Sequence, residues 1–303
     1  MRVTDIFSSR KMTFSFEFFP PKSAEAAERL YSNIQELEVL KPSFVSVTYG
    51  AGGTTRDLTH DLVVKIKRTT SLDPIPHLTC VCHKQAEIRS ILKRYAAEGV
   101  SNILALRGDP PKDLPNYDRS ADDFRYAADL VEFVRRFNEE GVHPDPRGFG
   151  IGVAGFPEGH PDTPNRLAEL DNLKRKIDAG ADYICTQLFF NNQDFYDFRE
   201  RCRLIGIEVP IVAGIMPVTS KPGMIRMAEL AAGARYPAGL LRALARCGDD
   251  NAAIERVGAH WATEQCRDLL DNEVDGIHFY TLNRSDATRR IYENLGLKDS
   301  EAV

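Results

Sequence analysis

Eight short β-forming runs recur along the chain, and each is followed by a stretch in which apolar residues return every three or four positions. The runs are TFSFEF from Thr13, FVSVTY from Phe44, IPHLTC from Ile75, NILALRG from Asn102, GIGVAG from Gly150, YICTQLFF from Tyr183, PIVAGIMP from Pro210 and GIHFYTLN from Gly276. The stretches between them carry helix punctuation. Ser23 stands as an N-cap, and Gly99, Gly141, Gly180 and Gly206 close four others. Such alternation predicts parallel strands joined by right-handed crossovers. Eight units predict a closed (β/α)8 barrel of the TIM class, with residues 1–303 as one domain. An open doubly wound sheet is the alternative, but no G-x-G-x-x-G follows the first strand. Residues 221–272 exceed the length of one crossover and read as helical, which predicts an extra helix or a lid between strands seven and eight.

Strand side chains alternate between the interior of a barrel and its helix layer. Phe14, Phe16 and Phe18 share one face of the first strand and suit the helix layer. Glu17 then points inward near the C-terminal end, where barrel enzymes place their chemistry. The same phase turns Ser46 and Thr48 away from Val45 and Val47, and His77 and Thr79 away from Leu78. Leu104 and Leu106 are expected to meet helices, with Arg107 and Asp109 at the strand end. Gln187 falls opposite Ile184, Thr186 and Leu188. Taken singly, these residues have plainer readings: a core histidine, a threonine chosen for β-propensity, a surface turn in RGDPP. Their agreement in phase and end makes one polar mouth of Glu17, Thr48, His77, Asp109 and Gln187.

Composition narrows the classes. The chain is 43% hydrophobic and 27% charged with a net charge of −5, which suits a soluble protein and argues against a general nucleic-acid binder. No apolar run approaches the roughly 18 residues of a membrane span. The N-terminus lacks the pattern of a secretory signal, so a cytoplasmic location is expected. Six cysteines without a C-x-x-C pair read as reduced thiols, and no metal site is expected. Lys174, Arg175 and Lys176 form a basic triplet, either a solvated face or a phosphate contact. The loop GVAGFPEGHPDTPN is longer than a plain connection needs.

The segments SFEFFPPK, LKPSFVSVTYGAGG, PHLTC, ILALRGDPP, FPEGHP, LKRKIDAGAD, TQLFF, GIMPV and HFYTLNR together resemble the methylenetetrahydrofolate reductase family, in the family's order and over nearly the whole chain. The length is similar to that of the bacterial, catalytic-domain-only type, so inhibition by S-adenosylmethionine through a C-terminal domain is not expected. The resemblance implies FAD at the barrel mouth, reduced by NAD(P)H, with NADH favoured. Methylenetetrahydrofolate then binds at the same flavin face in ping-pong fashion and leaves as 5-methyltetrahydrofolate, which supplies methyl groups for methionine synthesis. Glu17 matches the general acid, and a carboxyl desolvated inside the mouth holds a proton more readily. Asp109 matches the acid beside flavin and folate.

By the same resemblance Thr48, Tyr49, Ala51, His77, Arg107 and Gly108 surround the flavin, and Tyr126 and Ala127 contact FAD. Phe156, His160, Glu169, Asn172, Arg175 and Lys176 match positions around its ribose, phosphates and adenine. Gln187 and Arg284 match folate contacts, with Arg284 near the glutamate tail. A homo-oligomer, dimer or tetramer, is expected. Departures are Phe156 for a Tyr, Glu169 for an Asp, and Gly223 for a Gln that contacts substrate. Three other functions compete: a flavin-free reductase, a non-redox pterin-binding barrel or aldolase, and a binding protein that has lost its chemistry. A Schiff-base aldolase would need an interior strand-end lysine, and the eight runs hold none.

Overall fold

Alternating runs that bury one face against helices and the other against each other settle into two concentric layers. The computed structural model describes residues 1–50, 55–111, 117–231 and 233–302. The strands are β1 (Thr13–Phe18), β2 (Phe44–Val47), β3 (Pro74–Thr79), β4 (Asn102–Leu106), β5 (Gly150–Gly155), β6 (Tyr183–Thr186), β7 (Ile211–Ile215) and β8 (Gly276–Tyr280). They close in sequence order as a parallel barrel, with β8 pairing back onto β1. Closure removes the open-sheet alternative.

Helices α2 (Ala24–Glu38), α3 (Arg56–Thr69), α4 (Gln85–Ala97), α5 (Ala127–Glu139), α6 (Arg166–Asp178) and α7 (Asn192–Leu204) follow β1 to β6, and α11 (Asp286–Leu295) follows β8. The Ser23 hydroxyl accepts the Ala26 N–H and starts α2 as the sequence predicts. Past the end of α4 the chain turns left-handed at Gly99 (φ +69°), a conformation that a side chain would strain. Phe14, Phe16 and Phe18 are fully buried against the helix layer, each contributing about 2–3 kcal/mol of apolar burial.

The structure reverses one phase of the sequence reading and adds a helix before β1. Leu104 and Leu106 do not meet helices. Register sets His77 beside Leu104 and Thr79 beside Leu106, so both leucines follow His77 inward. Four consecutive apolar residues, Ile103 to Leu106, carry no alternation from which the phase could be read. The extra helical segment expected between β7 and β8 takes the form of three helices, two more than a crossover needs: α8 (Lys221–Leu230), α9 (Ala238–Arg246) and α10 (Asn251–Asp271). A short helix, α1 (Val3–Ser9), precedes β1. Its Val3 and Ile6 join Phe44, Ile75, Leu104 and Tyr183 in an apolar cluster that plugs the N-terminal end of the barrel. The Val3 N–H donates to Asn102 Oδ1 at 2.6 Å and fixes the plug to β4. Among the described residues no helix is long and apolar enough to cross a membrane.

Candidate active site at the barrel mouth

Because β1 exposes its phenylalanines to the helices, Glu17 has only the interior to enter. There its carboxylate meets two imidazoles. His77 Nε2 lies 3.5 Å from Glu17 Oε2, and His278 Nε2 lies 3.9 Å from the same oxygen. Register explains the meeting, since Glu17 pairs with Ser46 on one side and Tyr280 on the other. His278 is held by two serines, with Nδ1 2.7 Å from Ser15 Oγ and Nε2 3.3 Å from Ser46 Oγ. His77 is buried, and loss of solvent pulls its pKa down to about 4. Glu17 opposes that shift, and His278 adds to it. The imidazole is therefore neutral at physiological pH, and its Nε2 has no hydrogen-bond partner.

Above this group opens a cavity of about 570 Å³, within the size range of small-molecule sites. The structure brings to it Glu17, Thr48, His77, Arg107, Gly108 and Asp109 from the first four strand ends. Tyr126 and Ala127 come from the start of α5, and Phe156 and His160 from the loop after β5. Glu169, Asn172, Arg175 and Lys176 come from α6, and Gln187 from just past β6. One end is cationic. Arg107 pairs with Asp162 at 2.9 Å. Partly buried Lys176 donates to the Ala154 carbonyl at 2.6 Å, and loss of solvent lowers its pKa to about 8. Burial also lowers the pKa of His160, whose ring meets Phe156 edge-on at 4.8 Å. Gly108 sits in left-handed backbone (φ +79°) so close to Thr79 that an added Cβ would fall 2.8 Å from the threonine Cβ.

Other expected residues lie elsewhere. Tyr49 is not in the cavity wall; its hydroxyl lies 2.9 Å from His83 Nε2. Arg284 borders an adjoining groove that shares Tyr280 and Leu282 with the cavity. Gly223 sits in the first turn of α8, its N–H on Ser220 Oγ at 3.0 Å, and does not line the cavity. Ala51 lies outside the described residues. The sequence reading missed an apolar part of the wall: Leu188, Met216, Met227 and Ala231. It also missed Cys185 and Tyr280 among the lining residues near Glu17. The inward phase of GIHFY would have pointed to His278 and Tyr280, whereas nothing in the sequence marks a methionine on α8 as a wall. Among the described residues no group of three or more His, Cys, Asp or Glu could hold a metal ion.

A parallel eight-stranded barrel with polar strand ends gathered over one cavity at its C-terminal mouth belongs to the class of (β/α)8 enzyme folds. Comparison with known proteins gives the particular family. A family model described as methylenetetrahydrofolate reductase matches residues 2–296, and the chain belongs to that family. It is 38% identical to the 5,10-methylenetetrahydrofolate reductase of Escherichia coli, over 95% of this chain and 92% of that one. It is 37% identical to methylenetetrahydrofolate reductase (NADH) 1 of Arabidopsis thaliana, over 100% of this chain. The chain spans about half the length of its plant and yeast relatives, 51% and 47%. Among solved structures, an uncharacterized Clostridium thermocellum protein said to bind two copies of 5-methyl-5,6,7,8-tetrahydrofolic acid shares the fold. Its TM-score is 0.60 at 15% identity, with 97% of each chain covered.

Proposed function

We propose that the protein reduces 5,10-methylenetetrahydrofolate to 5-methyltetrahydrofolate with electrons from NAD(P)H, preferentially NADH, through FAD held in the barrel mouth. One observation carries the reading. The strand-end groups Glu17, His77, Asp109 and Gln187 enter the same cavity that Arg107, Arg175 and Lys176 line. Family membership and the activity named for the relatives support it, and the Arabidopsis name supports NADH.

The residues present fit a flavin dinucleotide. Three cations suit a pyrophosphate. The glycine at 108 lets backbone approach closely, and the buried, unpartnered His77 Nε2 has a free hydrogen-bonding position. When bound, the flavin supplies two-electron transfer between nicotinamide and folate. The chain's residues do the rest. Glu17 serves as the proton donor to the folate ring nitrogen that leaves the methylene carbon, opening the five-membered ring. Asp109 stabilises the cation so formed. Gln187 orients the pterin, and Arg284, exposed at the rim, receives the glutamate carboxylates.

Glu17→Gln tests the assignment. The parent should purify yellow and oxidise NADH. The variant should keep flavin and NADH oxidation but lose folate reduction by about 10²-fold or more, the usual worth of a placed proton donor. Folate turnover by E17Q at the parent rate would remove Glu17 from the chemistry. A colourless parent that still reduces folate would remove FAD.

A further inference from the structure

Arg235 is not among the residues that line the cavity, yet it joins three segments adjacent to ones that do. Its backbone N–H reaches the two carboxylate oxygens of Glu158 at 3.2 and 3.1 Å, and its Nε donates to Glu158 Oε1 at 3.1 Å. A terminal guanidinium nitrogen donates to Asp194 Oδ1 at 2.6 Å. Glu158 belongs to the loop after β5, between cavity residues Phe156 and His160. Asp194 lies in the first turn of α7, just beyond Gln187 and Leu188. Arg235 lies between α8 and α9, after Met227 and Ala231 of the apolar wall.

Exposure shows which group depends on the arrangement. The Glu158 side chain is only 8% exposed, whereas that of Arg235 is 62% exposed. A carboxylate so far withdrawn from water depends on its partners. What otherwise holds α8 and α9 is mostly apolar: Met216, Val218, Met227 and Leu240 pack together, and Tyr236 stacks on Phe190 at 4.6 Å. Apolar contact sets how deep that wall sits but has little direction. A forked guanidinium on two carboxylates has direction and fixes where the wall stops.

We propose that Arg235 is a positioning residue: by clasping Glu158 and Asp194 it sets the α8 wall against the β5 loop and so the width of the mouth for the folate. This role rests on the folate reading of the cavity. The clasp acts on ligand fit and leaves the strand-end chemistry of Glu17 untouched.

The test compares the parent with Arg235→Ala and Arg235→Lys as flavin-loaded proteins. Hydrogen exchange followed by mass spectrometry should show amides of 221–231 and 233–246 exchanging about tenfold faster in R235A, with the barrel strands unchanged. The KM for methylenetetrahydrofolate should rise about five- to tenfold with kcat within about twofold, and R235K should recover part of the loss. Parent-like exchange over those helices, or equal acceleration across the whole barrel, overturns the clasp. So does a loss confined to kcat. If the parent does not turn over methylenetetrahydrofolate, the reading of the site falls, and the exchange measurement alone then decides the clasp.

Discussion

Lys176 should make ligand binding consume a proton. Loss of solvent lowers its ammonium from the ordinary 10.5 to about 8. Arg107 adds repulsion, and Glu169 opposes both. On the proposed FAD reading, a pyrophosphate beside Nζ would add to the negative charge of Glu169 and return the lysine toward its ordinary value. At pH 9 the ligand-free group is then about one-tenth protonated and the liganded group nearly fully so, an uptake of about 0.9 proton per FAD bound; at pH 7 the uptake is about 0.1. The sign follows from protonation favouring the anion complex. Affinity is flat below pH 8 and weakens as pH rises from 8 toward 10.5, by up to tenfold for each pH step. Calorimetric titration of flavin-free protein with FAD, in pairs of buffers with different ionisation enthalpy at pH 7 and pH 9, counts the protons directly. Lys176→Met should abolish the uptake at pH 9 and flatten the affinity profile. A parent that takes up no proton at pH 9, or a K176M protein with parent uptake, would refute the reasoning.

Three further outcomes follow from packing and charge. The His77 ring, with a folded pKa of about 4, should show no NMR titration between about pH 8 and 5.5, and a midpoint near 6.5 would contradict its burial. Because the unfolded chain binds that proton more tightly, His77 makes stability fall as pH drops from about 6.5 toward 4, and denaturant midpoints across that window check the sign. Gly152 lies where any Cβ would enter the Tyr183 ring, itself fully buried. Gly152→Ala should therefore cost about 2 kcal/mol or more in urea unfolding, and a cost near zero would show that the ring moves freely.

The parts of this site legible in the sequence were those where polar and apolar residues alternate. In TFSFEF, FVSV and IPHLT the polar member of each pair had only one face to occupy, so Glu17, Ser46 and His77 could be placed inward before any coordinates. NILAL offered no contrast, and its phase came from its neighbours through register alone. The α1 plug was not legible, because seven residues lack the length for a periodic signal and its N-terminus has no side-chain cap. Met227 was not legible for a different reason. An apolar residue on a helix faces some core, and which core depends on how three helices fold back between β7 and β8.

That plug at the foot of the barrel has a consequence for traffic. With Val3 and Ile6 seated among Phe44, Ile75, Leu104 and Tyr183, the barrel is a room with one door. Nothing enters from behind, and nothing leaves that way while another molecule stands in the doorway. Whatever binds above Glu17 therefore comes and goes by the one mouth, a constraint set by residues at the opposite end of the barrel.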